Sequence, residues 1–266
     1  MNPYDFAIDV AERAGARLTS VARGPLQVSH KGSDTRDLVT NIDIEISDFL
    51  KKEITHAFPD HHIYSEEGKE SEHNTASPWE WVLDPIDGTS NFSRSIPHFS
   101  VCIGLLYEGV PVLGVVYNPI TRELFSFEKE KGAFLNGTPI SASAINLPKD
   151  AFALFRIGRK EKSWNWGLAT ERDFLREVKK ISNFGSSGLD LCFLASSRVD
   201  IVVYGTLGTR DIAGAIGILR AAGGEIYTID GVPAEITTKS QLVIATATRA
   251  LFDNIRPFLH PELLVQ

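Results

Sequence analysis

Apolar residues recur every three to four positions at the start of the chain. Phe6, Ala7, Val10, Ala11, Ala14 and Leu18 share one face of a helix predicted over residues 3–21. The stretch that follows, to Asp37, is polar, carries KGSDTRD and reads as a loop. Helical spacing returns at Ile42, Ile46, Phe49, Leu50 and Ile54, predicting a second helix over residues 41–57 that Phe-Pro-Asp ends. Short apolar runs at 62–64 and 81–83 read as strands. From residue 99 to 140 the pattern turns to β. Segments 101–107 and 110–117 flank Glu108-Gly109, a hairpin signal, and segments 124–127 and 133–135 precede Asn136-Gly137. The second half alternates, with strands at 151–155, 201–204, 225–228 and 242–245 and helices at 170–180, 189–197 and 211–222, before a final helix. A run of strands followed by alternation predicts an α/β (α+β) layered sandwich in which helices cover two sheets, one portion being antiparallel.

Length leaves one large domain or two small ones open, since 266 residues suffice for either. The formal charge of −7 argues against general nucleic-acid or acidic-membrane binding, which needs a basic face. An anionic substrate would then need metal ions or local cations to hold it. Cys102 and Cys192 both sit in apolar runs and read as buried reduced thiols. No apolar run reaches membrane-spanning length and the N-terminus has no signal-peptide core, so a cytoplasmic protein is expected.

The segment WVLDPIDGTSNF, residues 81–92, ends an apolar strand on Asp84 and places Asp87 three positions later. Alone, Asp-Pro and Asp-Gly read equally well as a tight strand-to-helix turn. Ligand sites in open α/β sheets lie at the carboxyl ends of strands, where Asp84 falls. Two carboxylates so close repel unless cations lie between them, and hard oxygen donors suit Mg2+ or Mn2+. Thr89, Ser90 and Asn91 follow at a helix start, whose amides can cradle a phosphate. Glu66-Glu67 follows another short strand, while Asp43 and Asp211 each begin a helix. Each of these acids has a bland reading, solvated loop or first-turn dipole partner. One shared metal cluster accounts for all of them.

With DLVTNID (37–43), FPDHHIYSEE (58–67), DPIDGTSNF (84–92), KGAFLNGTPI (131–140) and DIAGAIGILRAAGG (211–224), the chain resembles the inositol monophosphatase family over nearly its whole length. That family belongs to the wider group of lithium-sensitive, Mg2+-dependent phosphatases. The resemblance implies a single domain over 1–266, with sub-lobes meeting near residue 145, a five-layered αβαβα fold and a homodimer. It implies two or three Mg2+ ions, replaceable by Mn2+, held by Glu66, Asp84, the Ile86 carbonyl, Asp87 and Asp211, with Glu67 just behind them. Asp43 and Thr89, with Glu66, would activate the attacking water. Gly88 and Thr89 would hold phosphate oxygens, and Ser186, Tyr204 and Arg210 would lie on the substrate side, with Lys31 on a loop over the site. Two positions depart from the family pattern. Arg210 stands where Trp usually precedes the last aspartate, and Tyr204 replaces a Glu that touches the sugar ring. The implied reaction is hydrolysis of inositol monophosphate or a related small sugar phosphate, with no essential histidine; His61 and His62 read as surface residues. Fructose-1,6-bisphosphatase and 3′-phosphoadenosine-phosphate nucleotidase activities are the enzymatic alternatives. Association with RNA polymerase, as in bacterial members of the SuhB group, is the alternative of another class.

Overall fold

Helix α1 spans Pro3–Val21 and helix α2 spans Asn41–Ala57, the bounds that the apolar spacing predicts. Residues 2–21, 28–30, 38–67, 76–158 and 163–264 are described by this computed structural model, and Lys31 lies outside them. Thr40 caps α2: its side chain accepts from the Asp43 amide while the Asp43 carboxylate returns to Thr40 N, a reciprocal capping box. The polar segment before α2 is not all loop. Strand β1 (Val28–His30) pairs antiparallel with β2 (Leu38–Thr40). Three-residue strands are too short to leave an alternation in the sequence.

Seven strands form the first sheet, in the order β3 (His62–Ser65), β4 (Trp79–Asp87), β5 (Ser100–Tyr107), β6 (Val110–Asn118), β7 (Glu123–Glu128), β8 (Gly132–Leu135) and β9 (Thr138–Pro139). Only the β3/β4 pair is parallel. The short helix α3 (Thr89–Ser93) follows β4. The second sheet has the order β11 (Lys180–Ser182), β10 (Phe152–Arg156), β12 (Ile201–Leu207), β14 (Gln241–Thr246) and β13 (Glu225–Tyr227). There β10 runs parallel to both neighbours and β14 antiparallel to both.

Four further helices complete the layers: α4 (Trp164–Glu177), α5 (Ser187–Ala195), α6 (Ala213–Ala221) and α7 (Arg249–Ile255). On the outer face of the first sheet, Phe6, Val10, Leu18, Ile46 and Leu50 of α1 and α2 bury Trp81, Leu83, Val101 and Ile103. Between the sheets, Leu191, Leu194, Ile216 and Leu219 of α5 and α6 meet Val116 and Phe125 on one side and Val202 and Val243 on the other. Outside the second sheet, Trp166, Phe174, Leu251 and Phe252 of α4 and α7 cover Phe155, Val203 and Ile244. The result is the five-layered αβαβα sandwich.

Three local differences from the sequence expectation have physical causes. Helix α4 begins at Trp164 rather than near residue 170, and its Leu168 and Leu175 are exposed, so its apolar residues do not all mark the buried face. Helix α6 begins at Ala213, leaving Asp211 in the turn before it, where Ala213 N donates to the Arg210 carbonyl. His61 and His62 are partly buried: Trp81 Nε1 donates to His61 Nδ1 at 3.1 Å, and His62 Nδ1 lies 2.7 Å from Glu80 Oε1.

Helix α6 lies directly on the middle strands of the first sheet because glycines meet there. A Cβ on Gly214 would stand 2.5 Å from the Ile103 carbonyl oxygen, and one on Gly114 would stand 2.4 Å from the Gly214 oxygen. Only hydrogen fits at both positions, and this close approach carries the turn containing Asp211 up to the sheet.

Candidate active site

Side chains alternate across β4 until Asp84. Trp81 and Leu83 enter the outer core beneath α1 and α2, while Val82 faces Ala213 of α6. Asp84 therefore faces the middle layer. In an uninterrupted strand Asp87, three positions on, would face the opposite side. The register instead slips by one residue: Asp84 pairs with Cys102, and Asp87 pairs with Ser100. This β-bulge returns Ile86 to the outer core and turns Asp87 inward beside Asp84. Proline is tolerated at such a site because it has no amide to donate to a ladder, and Pro85 supplies the additional residue. Gly88 then takes φ +93°, which favours glycine, and turns the chain into α3.

Strands β3 and β4 are parallel, so their carboxyl ends emerge together. Glu66 follows β3, its amide donating to the Leu83 carbonyl at 3.0 Å, and its side chain hydrogen-bonds Asp84. Glu67 is buried, and its carbonyl accepts from Ser47 Oγ at 2.8 Å and Lys51 Nζ at 2.9 Å, which pins the loop to α2. Burial, and then the charges of Glu66, Asp87 and Asp211, push the Asp84 carboxyl well above the usual carboxylate range.

Asp87 is engaged differently from Asp84. Its Oδ1 accepts from the Ser187 amide and hydroxyl, both at 2.9 Å. Its Oδ2 accepts from the Gly188 amide at 2.8 Å, from Ser100 Oγ at 3.2 Å and from Ser186 Oγ. Asp87 is thereby bound to the first turn of α5. Ser186 is fully buried and gives its hydroxyl to Asp87, so it supports that carboxylate instead of lining a substrate space. The Ser186-Ser187-Gly188 run before Leu189 is a helix-start signal in the sequence, but its acceptor on β4 is not.

Asp43 and Thr89 meet. Asp43 is buried; its Oδ2 accepts from Thr40 N and Thr40 Oγ1, and its Oδ1 lies 3.2 Å from Thr89 Oγ1. Thr89 Oγ1 also lies 3.0 Å from the Ile86 carbonyl. The start of α2 is thus tied to the turn that carries the bulge.

Two of the residues placed on the substrate side lie elsewhere. Tyr204 is 2% exposed, its hydroxyl donates to Asp190 Oδ2, and Arg156 Cζ lies 4.6 Å from its ring centroid. His98 Nε2 takes the other oxygen of Asp190 at 3.2 Å. The α5 backbone brings Asp190 to Tyr204, and a phenol longer than glutamate reaches it. Arg210 is bonded to Glu80 and stacked on Tyr64, its Cζ 4.4 Å from the ring centroid. The guanidinium is therefore held by a carboxylate and an aromatic face, while its buried Nε has no hydrogen-bond partner among the described residues. Tyr64, whose hydroxyl hydrogen-bonds Asp211, carried no signal in the sequence beyond its place in a short strand.

The donor set fits a hard divalent cation. Glu66, Asp84, Asp211 and the Ile86 carbonyl are all oxygen donors, and the negative charges that add to burial in raising the Asp84 carboxyl mark a deficit of positive charge. Among the described residues, no three acids, histidines or cysteines already surround one point as a finished cage. Asp87 accounts for part of this. A carboxylate offers about four lone-pair directions, and five donors occupy them here, so an ion at Asp87 must displace a hydroxyl.

Asp84 gives a stability prediction for metal-free protein. Its folded-state pKa exceeds its unfolded one, so the folded state holds the proton longer, and stability falls as pH rises between the two values. In EDTA at pH 8, Asp84→Asn is expected to raise unfolding stability, with the gain shrinking towards pH 4. Urea unfolding at both pH values measures it; a variant less stable than wild type at pH 8 contradicts the crowded-charge account.

Known proteins share this architecture. The sequence profile of the inositol monophosphatase family matches residues 2–261. An inositol monophosphatase of Mesembryanthemum crystallinum is 36% identical over 238 residues, covering 87% of each chain. A protein named Nus factor SuhB, from Pasteurella multocida, is 33% identical over 98% of this chain and 99% of its own. The crystal structure of extragenic suppressor protein suhB from Bartonella henselae superposes with a TM-score of 0.89 at 30% identity, covering 97% of this chain and 98% of that one. Sequence and fold agree over almost the full length: the chain belongs to the inositol monophosphatase family.

Proposed function

We propose that the chain hydrolyses a phosphate monoester of a small polyol or sugar, inositol monophosphate among them. The reading rests on one observation: the Thr89 hydroxyl lies within hydrogen-bond distance of both Asp43 and the Ile86 carbonyl, at the turn that also carries the crowded acids. Glu66, Asp84, Asp211 and the Ile86 carbonyl would hold Mg2+ or Mn2+, joined by Asp87 once a hydroxyl turns away. When bound, such ions supply positive charge to the phosphoryl oxygens and acidify water.

The rest falls to side chains and amides. Thr89 Oγ1 carries one proton, for which Asp43 Oδ1 at 3.2 Å and the Ile86 carbonyl at 3.0 Å compete; with that carbonyl turned to a cation the proton would go to Asp43, leaving the Thr89 lone pairs to accept from a water. As that water attacks phosphorus, the P–O bond to the alcohol breaks in line with it; the water's proton moves to Thr89 Oγ1, the hydroxyl proton moves on to Asp43, and the leaving alkoxide takes a proton from solvent water. Thr40 holds the other Asp43 oxygen throughout, which keeps the acceptor oriented. The Gly88 and Thr89 amides, at the turn into α3, would face the phosphoryl oxygens. Arg210 and Tyr204 are engaged with Glu80 and Asp190, which favours a range of small esters over recognition of ring hydroxyls or of a second phosphate. This disfavours the fructose-1,6-bisphosphatase and nucleotidase alternatives.

The test is release of inorganic phosphate from inositol-1-phosphate with Mg2+. Thr89→Ala is expected to lower kcat/KM at least about 100-fold, with Thr89→Ser retaining most of it. An alanine variant that keeps more than about a tenth of the activity sinks this role for Thr89.

The similarity to Nus factor SuhB favours a second reading, association with the transcription machinery. A charge of −7 suits a protein partner better than nucleic acid itself. Purified RNA polymerase should be retained by the immobilised chain, and equally by its Thr89→Ala variant. Passage of the polymerase through the column unretained discards the reading.

A further inference from the structure

We infer that Tyr64 is a positioning residue for Asp211, and that Glu80 and Arg210 hold Tyr64 in place for it. The inference rests on the reading of Asp211 as an ion ligand. Tyr64 pairs in register with Val82 on β4, and both pack against Ala213 in the small cluster at the start of α6. That face of the sheet is the one the Asp211 turn crosses. The Tyr64 hydroxyl reaches the Asp211 carboxylate.

The ring cannot swing freely. Arg210, next to Asp211 in the chain, lays its guanidinium over the ring with Cζ 4.4 Å from the centroid. Glu80 holds that guanidinium, and the same Glu80 oxygen lies 2.7 Å from His62 Nδ1. His62 and Glu80 are themselves partners across the β3/β4 ladder. On the far side of the turn, Arg210 N donates to the Thr237 carbonyl at 3.1 Å. The Asp211 turn is thus held both by its backbone and by a side-chain clamp reaching two neighbouring strands.

The chemistry of the clamp suits its place. An arginine bonded directly to a metal-ligating carboxylate would neutralise the charge the ion needs. A phenol is a neutral donor that fixes the carboxylate's direction and leaves its charge. Here the guanidinium is bonded to Glu80 and lies over the Tyr64 ring, whose hydroxyl meets Asp211. Arg210 is on this account no substrate contact, although it neighbours the site.

The test is Mn2+ binding by calorimetry to the full chain. Tyr64→Phe keeps the ring and removes one oxygen, and is expected to weaken Mn2+ about tenfold. Arg210→Gln should weaken it less, and the double variant should bind no more weakly than Tyr64→Phe alone, because both act through one hydrogen bond. The KM for the phosphate ester should stay within about twofold in each, separating positioning of the ion from contact with substrate. A purely structural role would lower Tm and leave the Mn2+ affinity alone. Tyr64→Phe binding Mn2+ within about twofold of wild type overturns the inference. So does an Arg210→Gln variant that changes KM but not Mn2+ affinity. If Asp211→Asn binds Mn2+ as tightly as wild type, the ion-ligand reading of Asp211 fails, and this inference with it.

Discussion

One additional residue in β4 governs the rest of the site. The bulge between Asp84 and Asp87 converts a three-residue separation, which would place the two acids on opposite faces, into one that points both at the middle layer. Without it Asp87 would occupy the outer core that Ile86 fills. An ionised carboxylate buried there would be strongly unfavourable. The arrangement is stable because Pro85 needs no ladder bond, Gly88 accepts a left-handed backbone, and five donors meet Asp87 on the far side.

The layers then deliver the remaining groups. Parallel pairing of β3 and β4 brings Glu66 beside Asp84 at one sheet edge. The capping box of α2 presents Asp43 to Thr89. Helix α5 meets Asp87 with its first turn, and α6 brings Asp211 close because Gly214, Gly114 and Gly104 allow backbone-to-backbone approach. Buried acids at the meeting point of four elements are an expense in folding stability, which natural proteins accept at functional sites.

Much of this is legible in the sequence because it is local. The stripes of α1 and α2 and the β5–β6 hairpin follow from spacing and turn chemistry, whereas the strand that the sequence ends on Asp84 continues through a bulge to Asp87. What depends on distant partners is not. Nothing local in the sequence says that Ser186 and Ser187 close on Asp87, about a hundred residues away, or that Asp190 takes the Tyr204 hydroxyl. The family resemblance places Arg210 and Tyr204 beside substrate, but side-chain reach decides otherwise. A guanidinium finds Glu80 and the Tyr64 face, and a phenol extends to Asp190. Tyr64 reads as one more residue of a short edge strand, and its importance emerges only once the start of α6, at Ala213, packs beside Tyr64 and Val82.

The central claim is that the bulge gathers these acids to hold a divalent cation. Crystals grown with Mn2+ and measured at its absorption edge test it most directly. The account predicts an anomalous peak at about 2.2 Å from an Asp84 oxygen, with Glu66 and Asp211 also at ligating distance. A peak elsewhere on the molecule, or none beside Asp84 at saturating Mn2+, would contradict it.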